Sequence, residues 1–445
     1  MKNLYITLQR TNNTDKICKT KIDYQYRLSI SCKQESVTNR IVCIQPPIYS
    51  EPSEYTEIKI EKLNPGDSLE IELCYRFLCG GRHVFYMWEK NNQLPTLTRY
   101  VEAVSGAGYY SGNTHSHSTY SDGKSTLYEN RSVMMENGHS FIYATDHNTD
   151  AHFQELKEYE KCGEEDLFLH MCGWEYTTSH GHSIAYGSRN IYDTKRITGF
   201  GNLNEWQGFV DAMRQEQALV FLAHPYEAPK YEFGDEVLMN IQGITGIEAW
   251  NGWTKDAFCY ETRKAFQLWD ALNRKGTAHY VGNAVSDAHT SGSQSSPFIK
   301  GYLEDLNKET VEEMLKKGSF TGSNGPEIEF SIGETGIGES YVSDDQEALL
   351  QLKAFDPVGN IEAVHIYAGR VDGDNSGKAN TKRIFTYYPL GESEKRCFTQ
   401  KMYLKVKPGE FYRAEVITRF GVVAYMADKN KYEKGYAFTN PVWIQ

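Results

Sequence analysis

The sequence predicts a multidomain chain of mixed class, an α/β unit between two all-β units, and three observations predict it. Apolar and polar residues alternate through the first hundred positions. Helical periods alternate with short apolar runs from Ser105-Gly106 to about residue 324, and two-residue alternation then resumes. The expected domains are residues 1–104, 105–324 and 325–445, with "GSNGP" at 322–326 marking the second boundary.

In the first unit, Tyr24, Tyr26, Leu28 and Ile30 alternate with polar residues, as do Leu69, Ile71, Leu73 and Tyr75, and "NPGD" at 64–67 reads as a turn between such runs. A stretch this long with little helical period predicts an antiparallel β-sandwich. In the second, Trp206, Phe209, Val210 and Met213 fall at i, i+3, i+4 and i+7 behind Asn204 as the expected N-cap, and the strand-like "ALVFLA" follows. Ala265, Leu268, Trp269 and Leu272 repeat the pattern before Gly276, and "AHYVGNAVSD" comes next. Thr310 and Glu313 have capping-box spacing on a last helix that stops at Gly318. This alternation predicts a largely parallel sheet or barrel with outer helices. In the third unit Ile328, Phe330 and Ile332, then Leu350, Leu352 and Ala354, then Met402, Leu404 and Val406, then Tyr412, Ala414 and Val416 alternate, predicting a second β-sandwich.

The chain has 445 residues, 40% of them hydrophobic and 13% aromatic, enough to bury real cores. A formal net charge of −12 argues against a dedicated nucleic-acid binder, while leaving room for a local cationic site that holds a small anion. The opening "MKNLYITLQRTNNTDK" lacks an apolar core, and no run approaches a membrane span, so the expectation is a soluble, cytoplasmic protein. Nine scattered cysteines, with Cys74 and Cys79 the nearest pair, read as reduced thiols.

Chemistry is signalled by histidine placement. Eleven of the 13 histidines lie between His115 and His289. His115 and His117, two apart on an extended segment, face one side. His147 ends "FIYATDH", Glu175 follows "DLFLHMCGW", His224 ends "LVFLAH", Asp287 and His289 end "YVGNAVSDAH", and His182 opens "HSIAYG". Any one of these alone reads as a packed or capping residue. Potential ligands that repeatedly end apolar runs belong on one face, because strand C-terminal ends form the active face of β/α barrels. Imidazoles with carboxylates suit zinc, manganese or iron, so the set predicts a polynuclear metal centre. His139, His152, His170 and His279 lack that placement and read as packing; His180 stands close enough to His182 to be a substrate-contact candidate.

His115-x-His117 with Ser121-Asp122-Gly123, Thr145-Asp146-His147, Gly173-Trp174-Glu175, Gly181-His182, Ala223-His224-Pro225 and Ser286-Asp287-Ala288-His289 together resemble the PHP (polymerase and histidinol phosphatase) superfamily over roughly residues 108–290. "GSNGPEIEFSIG", "GIEAWNG" and the terminal "AFTNPVWIQ" resemble its CehA/McbA-like branch. The resemblance implies a distorted, TIM-like β/α barrel of about seven strands holding two or three divalent metals. It implies one metal on His115, His117, Glu175 and Asp287, a second on the bridging Glu175 with His182 and His224, and a third on Asp122, His147 and His289. Histidine is frequent in the family where this chain has Asp122, a departure that shifts the third site toward manganese or iron, or toward lower occupancy.

A divalent metal lowers the pKa of its water from about 15.7 to about 7. The expected reaction is hydrolysis of a small phosphoester by a hydroxide bridging the metals of a di- or trinuclear site, with Asp287 and His289 as the catalytic residues that handle the proton. Three divalent metals leave the centre positive, which suits an anionic phosphoester; two leave it neutral, which suits a carbamate or carboxylic ester. That ester hydrolase is the alternative, and a noncatalytic PHP-derived binding module the rival of another class. Asp146 is expected to orient a ligand imidazole, and Trp250 and Asn251 to line the pocket mouth. Glu248 reads equally as an interior carboxylate beside the site or as a core group paired with a base. The expected partner is a small-molecule substrate, with no nucleic acid and no membrane; the β-rich units carry no assigned role, and tyrosine there reads as packing before sugar stacking.

Overall fold

The computed structural model describes residues 4–13, 15–90, 97–157, 159, 163, 166–193, 201–226, 233–252, 256–342, 347–423 and 433–445. In the N-terminal part the strands Leu4–Arg10, Asp23–Cys32 and Ser68–Phe77 form one sheet, antiparallel in the register Tyr26↔Leu73. A second sheet joins Leu97–Ser105, Gly81–Glu89, Val37–Gln45 and Thr56–Leu63. Tyr24, Tyr26, Leu28 and Ile30 are fully buried between the two sheets, in a cluster with Val42, Ile44, Phe77, Phe85 and Met87. Alternation in sequence becomes one wet and one dry face here because successive strand side chains point to opposite sides.

The central sheet runs in the order Val281–Val285, Gly246–Asn251, Leu219–Ala223, Gly181–Tyr186, Leu169–Thr178, Phe141–Ala144, Gly108–Asn113. Its neighbours pair in parallel except at Gly181–Tyr186, which is antiparallel to the strands on both sides. That reversal follows from the tight connection Ser179–His180, too short for a crossover helix. The ladder continues from Gly108–Asn113 through Phe298–Leu303 and Phe320–Ser323 into Gly435–Thr439, Glu410–Thr418 and Ile361–Arg370. The two ends of the seven-strand run also meet. Ser116 and Ala288 form a parallel bridge, the His117 N–H donates to the Ala288 carbonyl at 2.9 Å, and the Asn113 amide donates to Ser286 Oγ at 2.7 Å.

Helices cover this sheet with the periods expected, but two caps lie elsewhere than the spacing predicted. Leu203–Gln215 starts behind Asn202, whose Oδ1 accepts the N–H groups of Asn204 and Glu205, while Glu205 returns the bond. Asn204 is the second helical residue instead of the cap. Lys308–Lys317 likewise starts behind Asn307, with Thr310 as the answering side chain, so Thr310 and Glu313 do not form the box. In both cases an asparagine slightly upstream satisfies the orphan N–H groups first. The Tyr260–Lys275 and Lys308–Lys317 helices end on Gly276 and Gly318, both left-handed.

The main apolar core joins Trp174, Phe221, Trp250, Trp269 and Ile299 with Tyr436 and Phe438 of the C-terminal strand Gly435–Thr439. A third cluster lies between the sheet Glu327–Ile332, Glu347–Phe355, Cys397–Lys405 and the strands Ile361–Arg370 and Glu410–Thr418. Cysteines 18, 32, 43, 74, 79, 259 and 397 are free, and Cys162 lies outside the described residues. Among the described residues, no helix is long and apolar enough to cross a membrane.

Candidate metal centre

His115 and His117 follow the strand Gly108–Asn113 and are fully buried. Their Nε2 atoms lie 3.1 Å apart. Asp287 Oδ1 is 3.2 Å from His115 Nε2 and 3.0 Å from His117 Nε2, and Glu175 Oε2 is 3.5 Å from each. Donors about 2.1 Å from a tetrahedral zinc stand about 3.4 Å from one another, so these separations fit the edges of such a coordination polyhedron. The other nitrogen of His115, Nδ1, lies 2.7 Å from Glu248 Oε1. A carboxylate there accepts a hydrogen bond from Nδ1–H, the arrangement in which Nε2 would offer its lone pair to a cation in the shared space.

Glu175 divides its two oxygens. Oε1 lies 2.9 Å from His182 Nδ1 and 3.2 Å from His224 Nε2, making a second buried group. A third group gathers around Asp122 Oδ1, 3.4 Å from His147 Nε2, 3.3 Å from His289 Nε2 and 3.9 Å from His117 Nδ1. His117 Nδ1 is buried without a hydrogen-bond partner, as a donor atom awaiting a cation would be. This outer group is the wet one: the Asp122 side chain is 59% exposed, against 0% for Glu175. The structure thus brings together all nine residues expected as ligands, in three groups that share His117 and Glu175 as neighbours.

The backbone is bent to deliver two of them. His224 and Asp287, each just beyond a central strand, have φ of 26° and 49°, the left-handed region that side chains with a Cβ rarely adopt. Such conformations persist where surrounding contacts over-determine them, and they cluster at functional sites.

The charges are mutually supporting. A hydrogen bond from His147 holds Asp122 well below the usual carboxylate range. Burial would raise Glu175 and Asp287, yet the surrounding imidazoles hold both below that range. Burial would lower His147, but Glu175 and Asp122 push it up to about 10; His115 is likewise raised by Asp287, Glu248 and Glu175, while burial lowers His117. Carboxylates that remain ionised in a dry interior are competent cation ligands.

Several sequence expectations change place. Asp146 does not orient a ligand imidazole: its Oδ1 accepts the Ser118 N–H at 2.8 Å and the Ser121 hydroxyl at 2.6 Å, and Oδ2 accepts the Ser118 hydroxyl and lies 3.8 Å from Nδ1 of the packing residue His152. It braces the turn that presents Asp122, while His147 Nδ1 meets Thr177 Oγ1 and Glu175 Oε2. Trp250 does not line a mouth; it is fully buried against Tyr436, because the strand Gly246–Asn251 turns alternate residues into the helix-covered core. Asn251 lies inside, its amide donating to Glu248 Oε2 at 2.9 Å and Asp287 Oδ2 at 3.1 Å. His139 meets Ser111 and Ser295, His152 the Gly173 carbonyl, and His279 stacks on Trp443 at 3.8 Å, all consistent with packing. The contribution that sequence reasoning left undecided is Glu248, whose signal was an acidic residue inside the apolar run "GIEAW".

No protein-family model matches the sequence, and no curated protein matches it. Among solved structures, it is similar to a two-domain protein containing a predicted PHP-like metal-dependent phosphoesterase from Bacteroides vulgatus. Identity there is 15%, over 74% of this chain and 94% of that one, with a TM-score of 0.39. A proposed metal-dependent phosphoesterase from Bifidobacterium adolescentis matches at 15% identity over 46% of this chain and 94% of that one, with a TM-score of 0.34. At these scores neither likeness carries weight for function.

Proposed function

We propose that the protein is a divalent-metal-dependent hydrolase of small phosphoesters, of the PHP type and its CehA/McbA-like branch, built on a distorted TIM-like β/α barrel between two β-sandwiches. The observation that supports it is the convergence of nine His, Asp and Glu side chains from six separated sequence motifs into three donor groups. One ion would sit on His115, His117, Glu175 and Asp287, a second on Glu175, His182 and His224, and a third on Asp122, His147 and His289. Zinc, manganese and iron suit such nitrogen and carboxylate donors. When bound, these ions would supply Lewis-acid activation of water and of a phosphoryl oxygen.

The chain's own residues do the rest. Glu175 and Asp287 keep negative charge at fixed points, so substrate anion is drawn only as far as cation charge exceeds theirs. With three divalent ions against the carboxylates of Asp122, Glu175, Glu248 and Asp287, the interior stays positive and suits a phosphate dianion. Asp287 and His289 stand where a proton would be moved: the two side chains approach to 4.0 Å, at the border between buried and wet groups. The half-exposed outer group favours a second reading. If only the buried groups fill, the charges cancel and a carbamate or carboxylic ester becomes the better substrate.

The test is chelator-stripped full-length protein reloaded with zinc or manganese, assayed on phosphomonoesters, cyclic phosphates and aryl carbamates. Metal-dependent phosphate release is the expected result. Metal uptake with no phosphoester turnover in any of these sinks the phosphoesterase reading, and aryl-carbamate turnover alone replaces it with the second.

A further inference from the structure

We propose that Glu248 is a positioning residue that holds the donors of the two buried groups, and not those of the outer group, in ligating geometry. The inference rests on reading the cluster as a metal centre, and it concerns a residue outside the nine donors. Glu248 lies on the strand Gly246–Asn251 with its side chain fully buried. Oε1 lies 2.7 Å from His115 Nδ1. Oε2 accepts the His224 N–H and the Asn251 amide, each at 2.9 Å. The same Asn251 nitrogen reaches Asp287 Oδ2 at 3.1 Å. One carboxylate therefore reaches, directly or through Asn251, a donor residue at the end of each of three other strands.

Each contact has a separate consequence. Accepting the His115 Nδ1–H favours the tautomer whose Nε2 lone pair faces His117, Glu175 and Asp287. Accepting the His224 N–H steadies a residue at φ 26° that would relax if left unheld. Holding Asp287 Oδ2 through Asn251 leaves Oδ1 for the two imidazoles, with the residue at φ 49°. Among the described residues, Glu248 has no such contact to Asp122, His147 or His289.

Glu248→Gln separates this role from simple packing. The amide fills the same space but has one acceptor oxygen. Either its NH2 faces His115 Nδ1 and drives the imidazole proton to Nε2, or it opposes the His224 N–H donor to donor. Zinc titrated into chelator-stripped full-length protein should bind the buried groups about 10–100-fold more weakly in Glu248→Gln. Binding of the weakest ion in the parent, assigned to the outer group, should be unchanged. Nitrogen-15 imidazole spectra of the zinc-loaded protein should show His115 as the Nδ1–H tautomer in the parent and lose that signature in the variant, a change that mere loosening of the core would not cause. Should Glu248→Gln fail to fold, Asn251→Ala, which removes the donor shared by Glu248 Oε2 and Asp287 Oδ2, should weaken zinc severalfold. Parent-like zinc affinity in the folded Glu248 variant, or an unmoved His115 tautomer, overturns the inference; with no folded Glu248 variant, parent-like affinity in Asn251→Ala does so. Parent protein that takes up no metal overturns the metal centre with it. Tight zinc binding without phosphoester turnover removes the proposed function and leaves this inference standing.

Discussion

Glu175 sits between two donor groups, Oε1 toward His182 and His224 and Oε2 toward His115 and His117, so its substitution should be felt twice. We expect Glu175→Gln to lower metal content by up to two ions per chain and to abolish turnover, measured by elemental analysis and by assay of reloaded protein. Asp122 belongs to one group only and its side chain is 59% exposed. Asp122→Asn should therefore cost one ion, leave the stability of the chelator-stripped protein within about 0.5 kcal/mol of the parent, and bias the protein away from dianionic substrates. A kcat/KM ratio for phosphomonoester over aryl carbamate that does not fall would contradict the charge argument.

Elements carry the donors into place, and their ends decide how firmly. Asn307 closes a reciprocal cap on the Lys308–Lys317 helix, and its Oδ1 accepts the Thr310 N–H at 2.9 Å. Asn307→Ala should cost about 1 kcal/mol in urea unfolding without changing metal content. Beyond the strand Glu347–Phe355, burial pushes the Asp356 carboxyl up to about 7, although Oδ1 accepts the N–H groups of Val358 and Asn360. Between its ordinary value near 3.8 and about 7, the folded chain holds a proton that the unfolded chain has released. Stability from this group is thus fully present below that window and is lost as pH rises through about 7. Asp356→Asn keeps an acceptor at the turn and removes the ionisable oxygen. It should raise Tm at pH 8 and leave Tm at pH 4 nearly unchanged; an equal shift at both values would refute the linkage.

At the scale of the whole molecule, the C-terminal strands extend the central sheet. Gly435–Thr439 pairs with Phe320–Ser323, and Tyr436 and Phe438 are fully buried among Trp250, Phe266 and Trp269. Removing residues 325–445 would expose that core and an unpaired sheet edge, so the truncated chain should aggregate. Removing residues 1–104 takes away a cluster of its own together with Cys43, Trp88 and Leu97 of a cluster shared with Phe298, Phe420 and Val422, but none of the nine donors, so metal content should stay near that of the parent. Bound ions stabilise only the folded centre, so a metal at about 100 times its Kd should add about 2.7 kcal/mol, read as a Tm rise that chelator reverses.

Local signals determined much by themselves. Two-residue alternation marked the strands holding Tyr24 to Ile30 and Ile328 to Ile332, and helical spacing marked Trp206 to Met213, because each pattern is written in neighbouring residues. Eight of the nine donors could be named from their spacing and their placement at the ends or start of apolar runs, and Asp122 from the family resemblance of the Ser121-Asp122-Gly123 motif. Tertiary structure alone decided which donor atoms face one another, that Asp146 braces a turn, that Trp250 is core, and that Glu248 ties His115 to His224. Those outcomes depend on which strands become neighbours and on which way each inward side chain leans, and contacts between residues 133 positions apart, such as His115 and Glu248, leave no periodic trace along the chain.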